Sequence, residues 1–373
     1  MINSYKKYSR RKFTTTITSA GAAFFLYPLS SFAMNIEEDP RIAKIVSNFI
    51  GIDTHNHMDV PFLKEDFKNQ KYDLKEELNK SGLSAICLTF CVDRPKLNNK
   101  GDAYERFIII LDELDELLKS NNINRALNFT DIKTAHKEKH PIVIQSVEGG
   151  HFIEDKIERL ELAYNRGVRH LGLLHDNPSY TPLGDIYTDP PKYNGLTEMG
   201  INTIKECNRL GILVDLTHCS NKGINDAIKV SNKPIIISHT GLNTQLGNNE
   251  KMAKMLLPRL ISKEQAKIVA SAGGILGVWT HLSESPTEYA QNILAMVEVA
   301  GIDHVCIGTD TKIAPSSNDK FGGKTNQAWE NTKQGFYYTL VKSLLDIGFK
   351  EDEIAKIGGG NYFRVFDIAT KKS

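Results

Sequence analysis

Residues 49–57 read FIGIDTHNH, an apolar run that ends in two histidines separated by a single residue. Its first half has the Phe and Ile content that is typical of a buried β-strand. In a strand, side chains two positions apart point to the same side, so His55 and His57 can reach one point. The stretch therefore predicts a buried strand that delivers two imidazoles to one site.

Further apolar runs of the same kind recur along the chain, each followed by a longer stretch with helical periodicity. The runs are residues 84–92, 141–147, 168–175, 212–218, 234–239, 274–280 and 304–310. The amphipathic stretches include residues 103–119, 156–165, 197–210, 221–230, 262–271, 288–299 and 331–346. Strands that are buried on both faces read as continuous apolar runs, as a parallel sheet covered by helices requires.

The repeated strand-then-helix order predicts an α/β protein with the closed (β/α)8 architecture of a TIM barrel. A doubly wound open sheet is the alternative, but no G-x-G-x-x-G follows the first run. Two stretches without periodicity, residues 176–194 and 312–327, follow predicted strands. We expect both to lie over the C-terminal face of the barrel, where loops shape substrate pockets.

Ionisable side chains stand at the ends of most of these runs: His55, His57, Glu148, His175, His218, His239 and Asp310. The carboxyl ends of barrel strands meet at one face, so these groups would converge on one site. Burying so many of them is unfavourable unless a cation compensates the charge. Imidazole and carboxylate groups suit Zn²⁺ in open catalytic sites, so the pattern predicts a pair of divalent metal ions.

The other histidines carry a weaker pattern. His151 follows two glycines and can orient a metal ligand from a second layer. His170, His281 and His304 flank strands without a partner pattern, and we assign them no role.

Composition indicates a small substrate and no nucleic-acid partner. Lys and Arg number 46 against 45 Asp and Glu, a formal net charge of +1, and no basic stripe stands out beyond the N-terminus. The five cysteines are odd in number and include no C-x-x-C. They are predicted to be buried small hydrophobes and neither a disulfide framework nor a zinc cluster.

The first 33 residues have the order of an export signal. The sequence SRRKF at residues 9–13 precedes a weakly apolar run, residues 17–29, which ends in the small residues of Ser31-Phe32-Ala33. The S-R-R-x-F order resembles a twin-arginine signal, and the apolar run is too short to span a bilayer comfortably. We expect residues 1–33 to direct export to the periplasm and residues 34–373 to form a single barrel domain with no integral membrane span. The alternative is a basic tail on a cytoplasmic protein.

The motifs, in this order along the chain, resemble those of the membrane (renal) dipeptidases, a zinc-dependent branch of the amidohydrolase superfamily. The matching stretches are Asp53 to His57, Val147 to His151, Asp215 to His218, Ser238-His239, Ile307 to Asp310 and Gly359 to Phe366. The resemblance covers residues 45–370 and implies an amidohydrolase-like barrel that hydrolyses dipeptides, including those with a D-residue at the C-terminal side.

The resemblance also implies a role for each residue. Two Zn²⁺ ions would be held by His55 and His57 on one side and by His218 and His239 on the other, with Glu148 as the bridge. A hydroxide between the metals would attack the amide carbonyl. Asp310, outside the ligand set, would be the catalytic general base and then acid, and His175 would steady the carbonyl oxygen. Arg259 would grip the carboxylate of the substrate, for which its planar fork is suited.

Two departures from the family pattern bear on metal and substrate. His57 stands where the family usually has Asp, which lowers the charge of the ligand set by one. After Asp310 the chain reads Thr311-Lys312-Ile313 in place of Phe-Asp-Gly. The alternative functions are a non-peptidase amidohydrolase acting on N-acyl amino acids, lactams or lactones, and a catalytically silent solute-binding protein. We expect a small molecule or dipeptide as substrate and leave a homodimer open.

Overall fold

The computed structural model describes residues 39–58, 73–313, 323–330 and 334–371. Residues Asp39–Ser373 form one compact unit. The predicted export signal, residues 1–33, lies outside the described residues.

Eight parallel strands close into a barrel, as the sequence predicted. They are β1 (Ile52–His57), β2 (Ala85–Cys91), β3 (Ile142–Glu148), β4 (Val168–Gly172), β5 (Leu213–Asp215), β6 (Ile236–Thr240), β7 (Ile275–Val278) and β8 (Val305–Ile307). Each strand pairs with the next, and β1 pairs with both β8 and β2, which closes the ring. A two-residue strand, β9 (Thr311–Lys312), extends the pairing along β1.

Helices alternate with these strands along the chain. They are α1 (Pro40–Asn48), α2 (Leu74–Ser81), α3 (Asp102–Ser120), α4 (Phe129–Glu138), α5 (Arg159–Asn165), α6 (Glu198–Leu210), α7 (Asn221–Val230), α8 (Glu250–Leu256), α9 (Lys263–Ser271), α10 (Pro286–Ala300), α11 (Phe336–Asp346), α12 (Glu351–Ala355) and α13 (Asn361–Thr370). The stretch predicted from residue 331 forms a helix from Phe336, and residues 331–333 lie outside the described part.

Side-chain caps fix where several of these helices begin. Thr197, Ser220, Ser262 and Ser285 precede α6, α7, α9 and α10, and each accepts a hydrogen bond from a backbone N–H of the first turn. Hydroxyl groups at this position satisfy donors that have no partner within the helix. The caps therefore end the loops above the barrel at defined residues.

Helix α13 closes the N-terminal end of the barrel. Its residues Tyr362, Val365 and Phe366 form one apolar cluster with strand residues such as Ile52 and Leu213. The polar groups described below lie at the opposite end, because they follow the carboxyl ends of the strands. All five cysteines are free. Four of them are buried as predicted, whereas Cys91, at the end of β2, is only half-buried.

Candidate metal centre

The predicted metal ligands converge at the C-terminal end of the barrel. His55, Glu148, His218 and His239 are buried, and the side chain of His57 is 21% exposed. The Nε2 atoms of these histidines point at one carboxylate, that of Glu148. The distances from Nε2 to the nearer Glu148 oxygen are 2.8 Å for His218, 3.5 Å for His55, 3.6 Å for His57 and 3.7 Å for His239.

This arrangement is electrostatically incomplete among protein groups alone. His55 Nε2 and His57 Nε2 are 3.2 Å apart, and Glu148 Oε2 accepts no hydrogen bond from the described residues. Burial alone would raise the pKa of Glu148, but the nearby His175 and His55 outweigh it and hold the pKa well below its usual range. Burial and the neighbouring His239 lower the pKa of His55, which keeps this ring neutral and able to coordinate. The donor set fits divalent cations.

A second layer of polar groups orients two of the predicted ligands. Ser238 Oγ lies 3.2 Å from His55 Nδ1 and 3.1 Å from His239 Nδ1. Ser238 is itself fixed, because its backbone N–H donates to Asp215 Oδ1. Partners on the second ring nitrogen set the tautomer and the direction of the coordinating one. A single serine therefore orients two of the predicted ligands, His55 and His239.

Asp310 lies closer to the ligands than the sequence indicated. Its Oδ1 is 3.0 Å from His57 Nε2 and 3.7 Å from His55 Nε2, and these three residues form a group that could hold an ion. We predicted Asp310 outside the ligand set, but the geometry places its carboxylate within reach of a cation at His55 and His57. Burial would raise the pKa of Asp310, but His239 and His281 hold it well below its usual range.

His281, to which we assigned no role from the sequence, contacts Asp310 directly. Its Nε2 lies 2.6 Å from Asp310 Oδ2. The same strand-end rule that identified the ligands could have found it, because His281 follows β7 by three residues. The contact leaves Asp310 Oδ1 facing the centre.

His175 faces the same centre from the end of β4. Its Nε2 is 3.3 Å from Glu148 Oε2, and its Nδ1 is 2.6 Å from Asp93 Oδ1. Asp93 is fully buried beyond the end of β2, and the sequence analysis missed it. Burial would raise the pKa of Asp93, but the contacts with His175, His151 and Asn177 together outweigh burial and hold this pKa below its usual range. His151 was predicted as a second-layer residue. Its Nε2 is 2.7 Å from the backbone oxygen of Asn177, which belongs to the loop after β4.

Arg259 lies beside the centre, and its guanidinium group is already paired with a carboxylate of the protein. Its Nη1 and Nη2 donate to the two oxygens of Asp176, at 2.6 and 3.1 Å. Nη1 also donates to Tyr187 Oη, at 3.1 Å, and that hydroxyl is 3.0 Å from His218 Nδ1. We predicted Arg259 as a clamp for a substrate carboxylate. The structure brings it to the site but fills the fork with a carboxylate of the protein itself.

A cavity of about 290 Å³ opens beside these residues. His218, His239, Tyr187 and Arg259 form its polar wall, and its apolar wall includes Ile186, Leu216, Ile224, Ile237, Leu260 and Ile261. Small-molecule sites combine mostly apolar walls with a few placed polar groups. The cavity can therefore receive a small apolar side chain next to the predicted ligands.

Known proteins share both the sequence pattern and the fold. The family model of membrane dipeptidases, peptidase family M19, matches residues 40–373. An uncharacterised dipeptidase of Schizosaccharomyces pombe is 28% identical over 305 residues, 72% of this chain and 70% of the relative.

Solved structures show the same barrel. An amidohydrolase from Pseudomonas aeruginosa is 21% identical with a TM-score of 0.70, covering 88% of this chain and 99% of the other. A metallopeptidase from Rhodobacter sphaeroides, solved with a phosphinate mimic of the dipeptide L-Ala-D-Ala, is 16% identical with a TM-score of 0.66, covering 86% and 99%. Among the residues described here, no helix has the length and apolar character needed to cross a membrane. The match over nearly the whole barrel and the strand-end motifs agree: the chain belongs to the membrane dipeptidase family, peptidase family M19.

Proposed function

We propose that this metal-dependent dipeptidase uses two zinc ions to hydrolyse small dipeptides, including those with a D-residue at the C-terminal side. One observation carries the proposal: four imidazole Nε2 atoms from the ends of β1, β5 and β6 converge within 3.7 Å of the Glu148 carboxylate. His55 and His57 would hold one ion, His218 and His239 the other, and Glu148 would bridge them. Asp310, whose Oδ1 is 3.0 Å from His57 Nε2, would be within reach of the first ion.

Side chains around this centre would transfer the protons of the reaction. When bound, a divalent pair supplies Lewis acidity, which acidifies water and polarises the scissile carbonyl. Asp310 would take the proton of the attacking water and pass it to the leaving amine, first as base and then as acid. His281 holds Oδ2 of Asp310, so Oδ1 faces the centre.

His175 is placed to stabilise the oxygen of the carbonyl. Its Nδ1 lies 2.6 Å from Asp93 Oδ1, a contact that fixes the orientation of the ring and places a carboxylate behind it. Its Nε2 then points into the centre as a donor for the negative charge that develops on the oxygen.

The substrate would lie with its leaving residue toward the cavity of about 290 Å³, whose walls are largely apolar. Arg259 stands at this end, where the free carboxylate of a dipeptide would arrive. The mimic bound to the Rhodobacter sphaeroides metallopeptidase represents L-Ala-D-Ala, which supports a D-residue on the leaving side here.

We also propose that residues 1–33 direct the enzyme to the periplasm by a twin-arginine route. The homodimer left open by the sequence stays a prediction, which light scattering on the purified protein checks.

Two measurements test the proposed function. Elemental analysis should find close to two divalent ions per chain after zinc loading, and His218→Ala should lower this number while His140→Ala, on an exposed histidine, should not. A screen of L,L-, L,D- and D,L-dipeptides should then give hydrolysis. Fewer than one ion per chain would overturn the binuclear centre. Hydrolysis confined to N-acyl amino acids, lactams or lactones would favour the non-peptidase alternative.

A further inference from the structure

The guanidinium of Arg259 is occupied by an internal carboxylate. Each oxygen of the Asp176 carboxylate accepts a hydrogen bond from one Nη atom of Arg259, and the Asp176 side chain is 13% exposed. Parallel two-point contacts of this kind are the strongest that an arginine makes with a carboxylate. The geometry of the pair is the one that a substrate carboxylate would need.

Asp176 is shared between three cationic or polar partners. Arg94, from the loop after β2, also pairs with Asp176 Oδ2, and its side chain is 61% exposed. His218 Nδ1 lies 3.2 Å from Asp176 Oδ1. One carboxylate therefore pairs with two arginines, Arg94 and Arg259.

We propose that Asp176 is a specificity-determining residue that competes with the substrate carboxylate for Arg259 and thereby lowers the preference of the enzyme for a free carboxylate on the leaving residue. The inference rests on the proposed function, because it places the leaving residue at Arg259. A dipeptide must displace Asp176 from the fork or share the two arginines with it. A substrate with a neutral group at this position meets no such competition.

The charge of Asp176, more than its size, causes the competition. Two carboxylates on one guanidinium repel each other, and each loses part of its hydrogen bonding to the fork. Asp176→Asn keeps the shape and an oxygen acceptor for His218 but removes the negative charge. It releases Arg259 and Arg94 for the substrate.

The experiment compares L-Ala-D-Ala with its C-terminal amide on the zinc-loaded enzyme, with kcat, KM and metal content measured for each variant. Asp176→Asn should lower KM for the free acid about tenfold or more, the gain expected from one charge-assisted contact, and leave KM for the amide unchanged. The matched control is Asp346→Asn, which removes an exposed carboxylate paired with Lys342 on α11. This control should leave KM unchanged for both the acid and the amide.

Two results would overturn the inference: equal effects of Asp176→Asn on acid and amide, or loss of a metal ion, which would make Asp176 a support for His218 alone. If this variant does not fold, the exposed Arg94→Gln carries the test. Removing Arg94 leaves Asp176 paired with Arg259 alone and takes one cation away from the substrate carboxylate, so KM for the acid should rise and KM for the amide should not. An unchanged ratio of KM for the acid to KM for the amide would contradict the proposal.

The failure of the proposed function gives a different result. If wild type hydrolyses neither compound although zinc is loaded, the dipeptidase proposal fails. Calorimetric binding of D-alanine and D-alaninamide then decides the role of Asp176. Tighter binding of D-alanine alone in Asp176→Asn supports the competition, and equal binding changes exclude it.

Discussion

Two residues of the centre have a left-handed backbone although neither is glycine. The φ angles are 68° at His218 and 55° at Asp310. Such conformations cost of order 1–3 kcal/mol each and persist where the surroundings impose them. Here Asp310 N donates to His55 O, and His218 O accepts from Tyr187 N, at 3.0 Å in both cases. The turns after β5 and β8 direct these side chains back over the barrel.

At the residue scale, Asp310→Asn tests the proton-transfer role. The amide has nearly the same size but cannot accept a proton, so kcat should fall at least about 10²-fold while KM changes little. Kinetics on a cleaved dipeptide measure this loss, and elemental analysis of the same sample measures the metal content.

The metal content separates two roles of Asp310, because its Oδ1 lies near both His55 and His57. Retention of both ions with low kcat supports proton transfer alone. Loss of one ion would make the carboxylate a ligand and would require the mechanism to be revised. Asp352→Asn, on α12, serves as the control.

At the scale of elements, glycines on two neighbouring strands make room for the backbone of a third. A Cβ on Gly277 in β7, or on Gly308 after β8, would lie 1.8 Å from Ser238 O in β6. That carbonyl also accepts a hydrogen bond from Thr54 Oγ1 at 2.8 Å. The position of Ser238 matters for the site, because its hydroxyl lies within 3.2 Å of His55 Nδ1 and 3.1 Å of His239 Nδ1.

Gly277→Ala should therefore disturb both fold and site. Overpacking against a strand costs about 1–3 kcal/mol of unfolding free energy, and displacement of Ser238 should weaken zinc binding. Denaturant unfolding and zinc titration measure the two effects. Gly223→Ala in α7 is the control, because its new Cβ would have no contact nearer than 3.4 Å and alanine favours a helix. Equal unfolding free energies for the two variants would show that β6 can shift without cost.

At the scale of the whole molecule, the predicted ligands come from strands that lie far apart around the barrel. They come from β1, β3 and the ends of β5 and β6, so a bound cation joins strands from several sides of the ring. A ligand that binds only the folded state stabilises it in proportion to its affinity and concentration.

Removal of metal should therefore lower the melting temperature by about 5 °C or more, and zinc should restore it. Differential scanning calorimetry before and after chelation measures the change. In the His218→Ala variant, the difference in melting temperature between the zinc-loaded and the chelated protein should be smaller. An identical melting temperature with and without chelator would indicate that no ion binds the folded barrel tightly.

The export proposal also concerns the whole chain. Changing Arg10 and Arg11 to Lys should leave the precursor in the cytoplasm with its hydrolase activity intact, because the barrel begins after residue 39. Cell fractionation followed by activity assays measures the distribution. Delivery to the periplasm by the doubly substituted chain would point to a different route.

The sequence by itself determined the barrel and the strand ends at which the predicted ligands lie. Buried parallel strands are encoded locally, as runs of apolar residues followed by amphipathic helices, and all eight predicted strands are present. The ends of strands are less exact. The run predicted over residues 212–218 is a strand only over Leu213–Asp215, because the chain turns before the left-handed His218.

Only the tertiary structure decided which partner each site residue has. Arg259 meets Asp176 across 83 positions of sequence, and His175 meets Asp93 across 82. His281 reaches Asp310 from the neighbouring strand end. Strand periodicity is local and can be read from the chain, whereas the loops that follow different strands meet only after the ring has closed. Their side-chain pairing, and with it the occupied fork of Arg259, follows from packing between residues far apart in sequence.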